Sequence, residues 1–181
     1  GYEMIHDAGL DTTRNWWAIT KPFSTKYRLI VNGEETDSYD SVSTPEFSPD
    51  GRRWAAFGDG ASRIQLITES ETVDLYSANG FGDVVFSGNS EVLVYSYFES
   101  GNEIIVTPNK EIEVRNKASR VFVNYTGTKV AFLGRRLGKV VLNIDGKETD
   151  MYDEIIPFGF WNDDRFVYAV KYGNRAEIMR G

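Results

Sequence analysis

The side chains in this sequence that could carry acid–base, nucleophilic or metal chemistry are few and scattered. There is one histidine, His6, and no cysteine, which excludes disulfides, thiolate metal sites and a cysteine nucleophile together. Serine catalysis needs a hydroxyl activated by a histidine base, often on a Gly-x-Ser-x-Gly elbow. No such elbow occurs, and His6, close to the first residue, reads as a solvated loop side chain. Carboxylates remain. Asp7, Glu46 and Asp83 stand where inner strands are expected to begin, and a converging pair could act as acid and base, or acid and nucleophile, on a glycoside. Their local sequences match no glycosidase pattern. Asp50, Asp59, Asp145, Asp163 and Asp164 could offer oxygen ligands to calcium or magnesium. All five lie beside turns, where Asp is recruited to accept hydrogen bonds from backbone amides. No catalytic residue, metal ligand or cofactor site is therefore assigned.

The elements that would position any site come from an internal repeat. The segment Asn32-Gly33-Glu34-Glu35-Thr36-Asp37-Ser38-Tyr39-Asp40 returns as Asp145-Gly146-Lys147-Glu148-Thr149-Asp150-Met151-Tyr152-Asp153. Between them, Phe47-Ser48-Pro49-Asp50-Gly51 is echoed by Phe86-Ser87-Gly88-Asn89-Ser90, Val123-Asn124-Tyr125-Thr126-Gly127 and Phe160-Trp161-Asn162-Asp163-Asp164, with Leu10-Asp11-Thr12-Thr13-Arg14 upstream. The five anchors Leu10, Phe47, Phe86, Val123 and Phe160 thus recur with a period of about 38 residues. Each unit reads as four short strands, A to D. In the second unit these are predicted at 45–48, 53–57, 63–68 and 72–76, with Gly58-Asp59-Gly60 breaking the chain after strand B. Asn32-Gly33 and Asp145-Gly146 are the strongest short hairpin signals, placed between strands C and D. No segment sustains helical periodicity over three turns.

Four-stranded repeats of this length predict an all-β fold, a β-propeller of five units spanning 1–181 as one domain. The pattern Asn/Asp-Gly-x-Glu, Tyr-Asp, then Phe-Ser-Pro-Asp-Gly-Arg-Arg resembles the PD40, or WD40-like, repeat of TolB-type propellers. Related propellers cap prolyl oligopeptidases. The resemblance implies a propeller used for binding or gating and favours an extracytoplasmic setting; it does not identify a ligand. The last C strand, ending at Ile178-Met179-Arg180-Gly181, lacks a following D strand. Two readings follow: a closed five-bladed ring completed by the N-terminal segment, or an arc of a larger propeller whose open edges invite self-association. Opening on Gly1 rather than Met is compatible with removal of a leader or preceding domain.

The net charge of −7 and a pI of about 4.8 argue against a nucleic-acid partner. No apolar run is long enough to insert in a membrane as a helix. The repeated Tyr39-Asp40 and Tyr152-Asp153 pairs are read as structural, closing the edge of each unit, and Trp17 and Trp54, at equivalent strand-B positions, as inter-blade core. Ligand contacts are sought instead where the repeat breaks. The B-to-C loops carry Lys21-Pro22-Phe23, Glu99, Arg135-Arg136, Tyr172 and Arg175, and the D-to-A loops Asn79-Gly80-Phe81-Gly82 and Lys117. With Trp161, which replaces the anchor serine, the candidate binding residues are Phe23, Phe81, Arg135, Arg136, Trp161, Tyr172 and Arg175. Mixed aromatics and arginines suit a protein or peptide partner. A glycan-binding or glycosidase-like propeller and the gating propeller of a larger peptidase stand as alternatives.

Overall fold

The structure, a computed structural model, describes residues 4–21, 25–60, 63–115, 120–162 and 164–181. These residues form twenty strands and no helix, arranged as five antiparallel sheets taken in chain order. The first sheet holds β1 (Met4–Leu10), β2 (Trp16–Lys21), β3 (Arg28–Val31) and β4 (Glu34–Glu35). The second holds β5 (Ser41–Val42), β6 (Glu46–Phe47), β7 (Trp54–Gly60), β8 (Arg63–Thr68) and β9 (Thr72–Leu75), with β5 and β6 both paired to β7. The third is β10 (Gly80–Phe86), β11 (Leu93–Glu99), β12 (Asn102–Val106) and β13 (Glu111–Arg115). The fourth is β14 (Val121–Val123), β15 (Val130–Arg136), β16 (Lys139–Ile144) and β17 (Lys147–Glu148). The fifth has three strands, β18 (Glu154–Phe160), β19 (Phe166–Tyr172) and β20 (Arg175–Arg180). The chain falls into two compact units, Gly1–Phe81 and Gly82–Gly181, whose boundary lies within β10.

The five anchors end the innermost strand of each sheet: Leu10 closes β1, Phe47 β6, Phe86 β10, Val123 β14 and Phe160 β18. After four of the anchors a short polar side chain captures the amide that opens strand B. Buried Ser48, Ser87 and Asn124 each accept, on a side-chain oxygen, the backbone N–H five residues on, from Arg53 (3.0 Å), Val92 (3.0 Å) and Lys129 (2.9 Å). Asp11 accepts the Asn15 N–H, four residues on, at 2.7 Å. A left-handed residue completes every turn: Arg14, Gly51, Ser90, Gly127 or Asp164. Within each unit these turns are tied to one another. Asn15 Nδ2 donates to the Gly51 carbonyl at 2.8 Å, Asn89 N–H to the Tyr125 carbonyl at 2.9 Å, and Asn124 Nδ2 to Asp164 Oδ1 at 3.0 Å.

The core lies between stacked sheets. Ile19, Leu29, Val31 and Ala56 pack between the first and second, with Trp17 and Trp54 against them as expected. Val94, Ile105, Val114, Val121, Val130 and Phe132 fill the space between the third and fourth sheets. Ala131, Leu142, Ile155, Phe166, Tyr168 and Val170 fill that between the fourth and fifth. Burying each of the larger side chains stabilises the fold by roughly 1.5–3 kcal/mol. The Tyr-Asp pairs are the crossings between sheets. Tyr39 exchanges backbone hydrogen bonds with Tyr27 of its own sheet, and Asp40 N–H reaches the Asp59 carbonyl of the next; Tyr152 with Val140, and Asp153 with Lys171, repeat this.

Four local expectations change. Lys21, Glu99, Arg135, Arg136, Tyr172 and Arg175 are not loop residues but lie at the ends of β2, β11, β15, β19 and β20, because the strands pair up to the turns. Gly58-Asp59-Gly60 does not break strand B but extends β7 to Gly60, paired with β8 on one side and β5 on the other; Gly58 is small because a Cβ there would stand 2.5 Å from the Tyr39 ring. Gly80, Phe81 and Gly82 are not loop but the first residues of β10. His6 is not in a loop either; it lies in β1, edge-on to Tyr27 at 5.2 Å between ring centroids. The fifth sheet meanwhile leaves one face uncovered. Ile156, Ala169 and Ile178 form a cross-strand row, and Ile178 is 72% exposed where Leu142, three residues past the equivalent hairpin, is fully buried.

Candidate functional site

At the end opposite the anchored turns, the B-to-C connections of the fourth and fifth sheets are tight hairpins. Arg136 pairs with Lys139 across Leu137-Gly138, and Tyr172 with Arg175 across Gly173-Asn174. Leu137 and Gly138 have φ of 50° and 77°, the two left-handed residues of a type I′ turn, which ordinarily takes Asn-Gly. A leucine there bears backbone strain, and Leu137 is 87% exposed, the highest value among the exposed large hydrophobic residues. Sequence reasoning passed over it; the usable signal was an apolar residue in the slot that Asn32 and Asp145 fill in the C-to-D turns.

The candidate residues divide by position. Arg135 and Arg136 line a groove of about 580 Å³ between the third and fourth sheets, with Ile112, Val114, Arg115 and Phe132 on its walls. Tyr172 and Arg175 line a second groove of about 450 Å³, formed with Asp150, Met151, Tyr152 and Val170 between the fourth and fifth sheets. The two hairpins are joined by Lys139, which ion-pairs with Asp153 and lies 5.6 Å from the Tyr172 ring centroid; Asp153 Oδ2 also accepts the Gly173 N–H at 2.7 Å. The Lys139 hydrogen bond, then that of Gly173, holds the Asp153 carboxyl below the usual carboxylate range, and the same contact holds Lys139 above its ordinary value. Arg136 pairs with Glu148 at 3.4 Å. Arg115, Arg135 and Arg175 have no ion-pair partner among the described residues.

The other candidates lie elsewhere. Trp161, 67% exposed, sits at the A-to-B turn of the fifth sheet, beside a crevice lined by Arg165, Val167 and Arg180. Phe81 stacks on Phe57 with ring centroids 5.5 Å apart. Phe23, with Tyr2-Glu3, Pro22, Lys117 and Asp163, lies outside the described residues.

The carboxylates are largely occupied by the fold. Asp83 Oδ2 accepts the Val121 N–H at 2.9 Å, Asp50 Oδ1 accepts Ser48 Oγ at 2.7 Å, and Asp145 pairs with Lys110 at 3.0 Å. Asp7 accepts the N–H of neighbouring Ala8 at 2.8 Å. Asp11 is held below the usual range: burial pushes it up, and hydrogen bonds from Thr13 and Asn15 outweigh that. A buried carboxyl that the sequence did not single out, Glu103, accepts Ser96 Oγ at 2.6 Å, and Ser96 Oγ in turn accepts the Asp83 N–H. Among the described residues no group of three His, Asp or Glu side chains could hold a metal ion.

No protein family matches the sequence, and no curated protein matches it. Solved structures do. The chain is similar to a eukaryotic initiation factor, with a TM-score of 0.60, 11% identity, and coverage of 97% of this chain and 52% of that one. It is similar to the β-propeller domain of the Trilobed protease from Pyrococcus furiosus, with a TM-score of 0.58, 14% identity, and coverage of 100% and 69%. Pyrococcus horikoshii acylaminoacyl peptidase gives a TM-score of 0.52 and 13% identity over 99% of this chain, which spans 38% of that protein. At such identities the likeness is one of fold. The five sheets are propeller blades, and the protein is an all-β chain of the β-propeller class.

Proposed function

We propose that this chain is a non-catalytic interaction module, a propeller of the PD40, TolB-like kind that binds a protein or peptide through the B-to-C hairpins of its fourth and fifth sheets. The PD40 reading is supported by Phe47-Ser48-Pro49-Asp50-Gly51 and by the two Tyr-Asp crossings. One observation carries the binding reading. Arg135, Leu137, Tyr172 and Arg175 are exposed side chains that the fold leaves largely unused, while Asp50, Asp83 and Asp145 are spent on turns and strand ends. Arginine and tyrosine are the side chains that dominate protein contacts, because each combines a large contact area with directional hydrogen bonding. A photo-crosslinking residue placed at 135 or 172 in the native cell is expected to capture a partner, and the same residue at exposed Thr12 is not. Equal capture at all three positions, or none at 135 and 172, overturns the reading.

A further inference from the structure

The groove beside Arg135 has a physical origin in how adjacent sheets fill the space over strand B. At three of the junctions, two residues before the B-to-C hairpin, strand B meets a residue from the outer edge of the preceding sheet. In the first unit that position is Gly58, and the Tyr39 ring fills the space above it. Between the fourth and fifth sheets it is Val170, with Tyr152 alongside. Between the third and fourth it is Gly134, facing Val114. Tyr39, Tyr152 and Val114 are equivalent by register, since they pair respectively with Tyr27, Val140 and Glu103 near the start of each C strand. A glycine is thus paired with tyrosine at one junction and with only valine at another. A Cβ on Gly134 would meet one atom within 4 Å, Val141 Cγ2 at 3.5 Å, so the space is open.

Three further features define what would fill it. Thr107 N–H bonds the Lys110 carbonyl, which makes Ile105–Ile112 and Glu103–Val114 the next bonded pairs. The backbone groups of Glu111, Glu113 and Arg115 therefore point away from β12, along the edge of β13, the longest fourth strand of any sheet, which pairs with no other strand among the described residues. Arg115 and Arg135 flank the groove without carboxylate partners among the described residues, while the two carboxylates of its lining are engaged, Glu148 by Arg136 and Glu113 by Asn102 Nδ2. Exposed Leu137 forms its rim.

Resting on the interaction-module reading, we propose that this groove binds an extended acidic peptide along β13. An aromatic side chain of the peptide takes the place over Gly134 that Tyr39 takes over Gly58, and an adjacent carboxylate meets Arg135 and Arg115. The chain already uses this combination: Asp40, after Tyr39, pairs with Lys26 at 2.6 Å, and Asp153, after Tyr152, pairs with Lys139. Strand addition supplies main-chain hydrogen bonds, and the ring and carboxylate supply specificity.

The test is titration of the whole chain with the acetylated, amidated peptide Asp-Met-Tyr-Asp-Glu, the sequence of residues 150–154. Saturable binding is expected, weakened about tenfold or more by Gly134→Val, by Arg135→Glu, or by alanine for the peptide tyrosine. Gly134 has no positive φ and room for a side chain, so Gly134→Val blocks the groove without unfolding the sheet; an unchanged melting temperature checks this. A peptide with lysine for each acidic residue is expected not to bind. Absence of binding by the acidic peptide, or binding indifferent to Gly134→Val, overturns the proposal. If the peptide fails while crosslinks at 135 and 172 persist, the groove assignment falls and the interaction module stands; if both are silent, both fall.

Discussion

Asn124→Ala is expected to be among the most costly single substitutions at a polar residue in this protein. Asn124 is fully buried; its Oδ1 accepts the Lys129 N–H at 2.9 Å, and its Nδ2 donates to Thr126, Thr128 and Asp164 at 3.0–3.1 Å. Truncation leaves the Lys129 amide without its acceptor inside the turn, at about 1–3 kcal/mol for a buried donor left unsatisfied. The bond to the Asp164 carboxylate adds about 1 kcal/mol, since the threonine hydroxyls can turn to water. The sum is about 3 kcal/mol, or a fall of roughly 6–12 °C in melting temperature for a chain of this length. Asn124→Ser is the discriminating variant, because Ser48 and Ser87 perform the same amide capture in their own turns. It should recover about half of the loss, since the main penalty is the stranded amide rather than lost volume. Urea melts followed by circular dichroism measure all three proteins. If serine is no better than alanine, or alanine costs less than about 0.5 kcal/mol, the turn is not held by its buried acceptor.

Two further outcomes follow from the same structure. Leu142→Ala and Ile178→Ala remove similar side chains from equivalent C-strand positions, yet the first should cost about 2–5 kcal/mol and the second under about 0.5 kcal/mol, because Leu142 is fully buried and Ile178 is 72% exposed; equal losses in urea melts would mean that Ile178 is covered in solution. Asp74, held low chiefly by the Gln65 side-chain hydrogen bond, and Asp153, held low chiefly by Lys139, have folded-state values below the unfolded one. Their contribution is therefore complete above about pH 4 and is lost as pH falls through the folded values; Asp74→Asn with Asp153→Asn should flatten the acid limb of a stability–pH curve, and an unchanged limb would refute the assignment.

The repeat was legible in the sequence because it is written in local chemistry. Each anchor is followed by a residue that ends a strand and, in four of the turns, by a short polar side chain that captures the opening amide of strand B. Asn32-Gly33 and Asp145-Gly146 supply the left-handed residues of the C-to-D turns in the same local way. What misled was glycine. Gly58, Gly60, Gly80 and Gly82 look like turn formers, yet all four lie within strands. Gly58, Gly60 and Gly82 are small because side chains approach them: a Cβ on Gly82 would fall 2.2 Å from Ser96 Oγ and 3.0 Å from Glu103 Oε1. Close approach of this kind is a tertiary property with no local signature. The groove at Gly134 was hidden for the same reason, since it depends on which outer-strand residue the next sheet faces.

The two ends of the blades differ in what they leave undone. At the A-to-B end, side-chain oxygens capture backbone amides, and hydrogen bonds run from turn to turn within each unit, from Asn15 to Gly51 and from Asn124 to Asp164. Trp161 stands on that end beside Arg165 and Arg180 in a small crevice, whereas the hairpin end gathers Arg115, Arg135 and Arg136 around a larger groove. At the B-to-C end of the fourth and fifth sheets the connections are two-residue hairpins, so the backbone needs little help from side chains and those side chains are free to vary. The fold thus puts its stabilising chemistry at one end and its unspent arginine, tyrosine and leucine at the other. A partner that recognises this protein by side-chain chemistry has more to bind at the hairpins, where exposed Leu137 holds a left-handed conformation that asparagine would adopt with less strain.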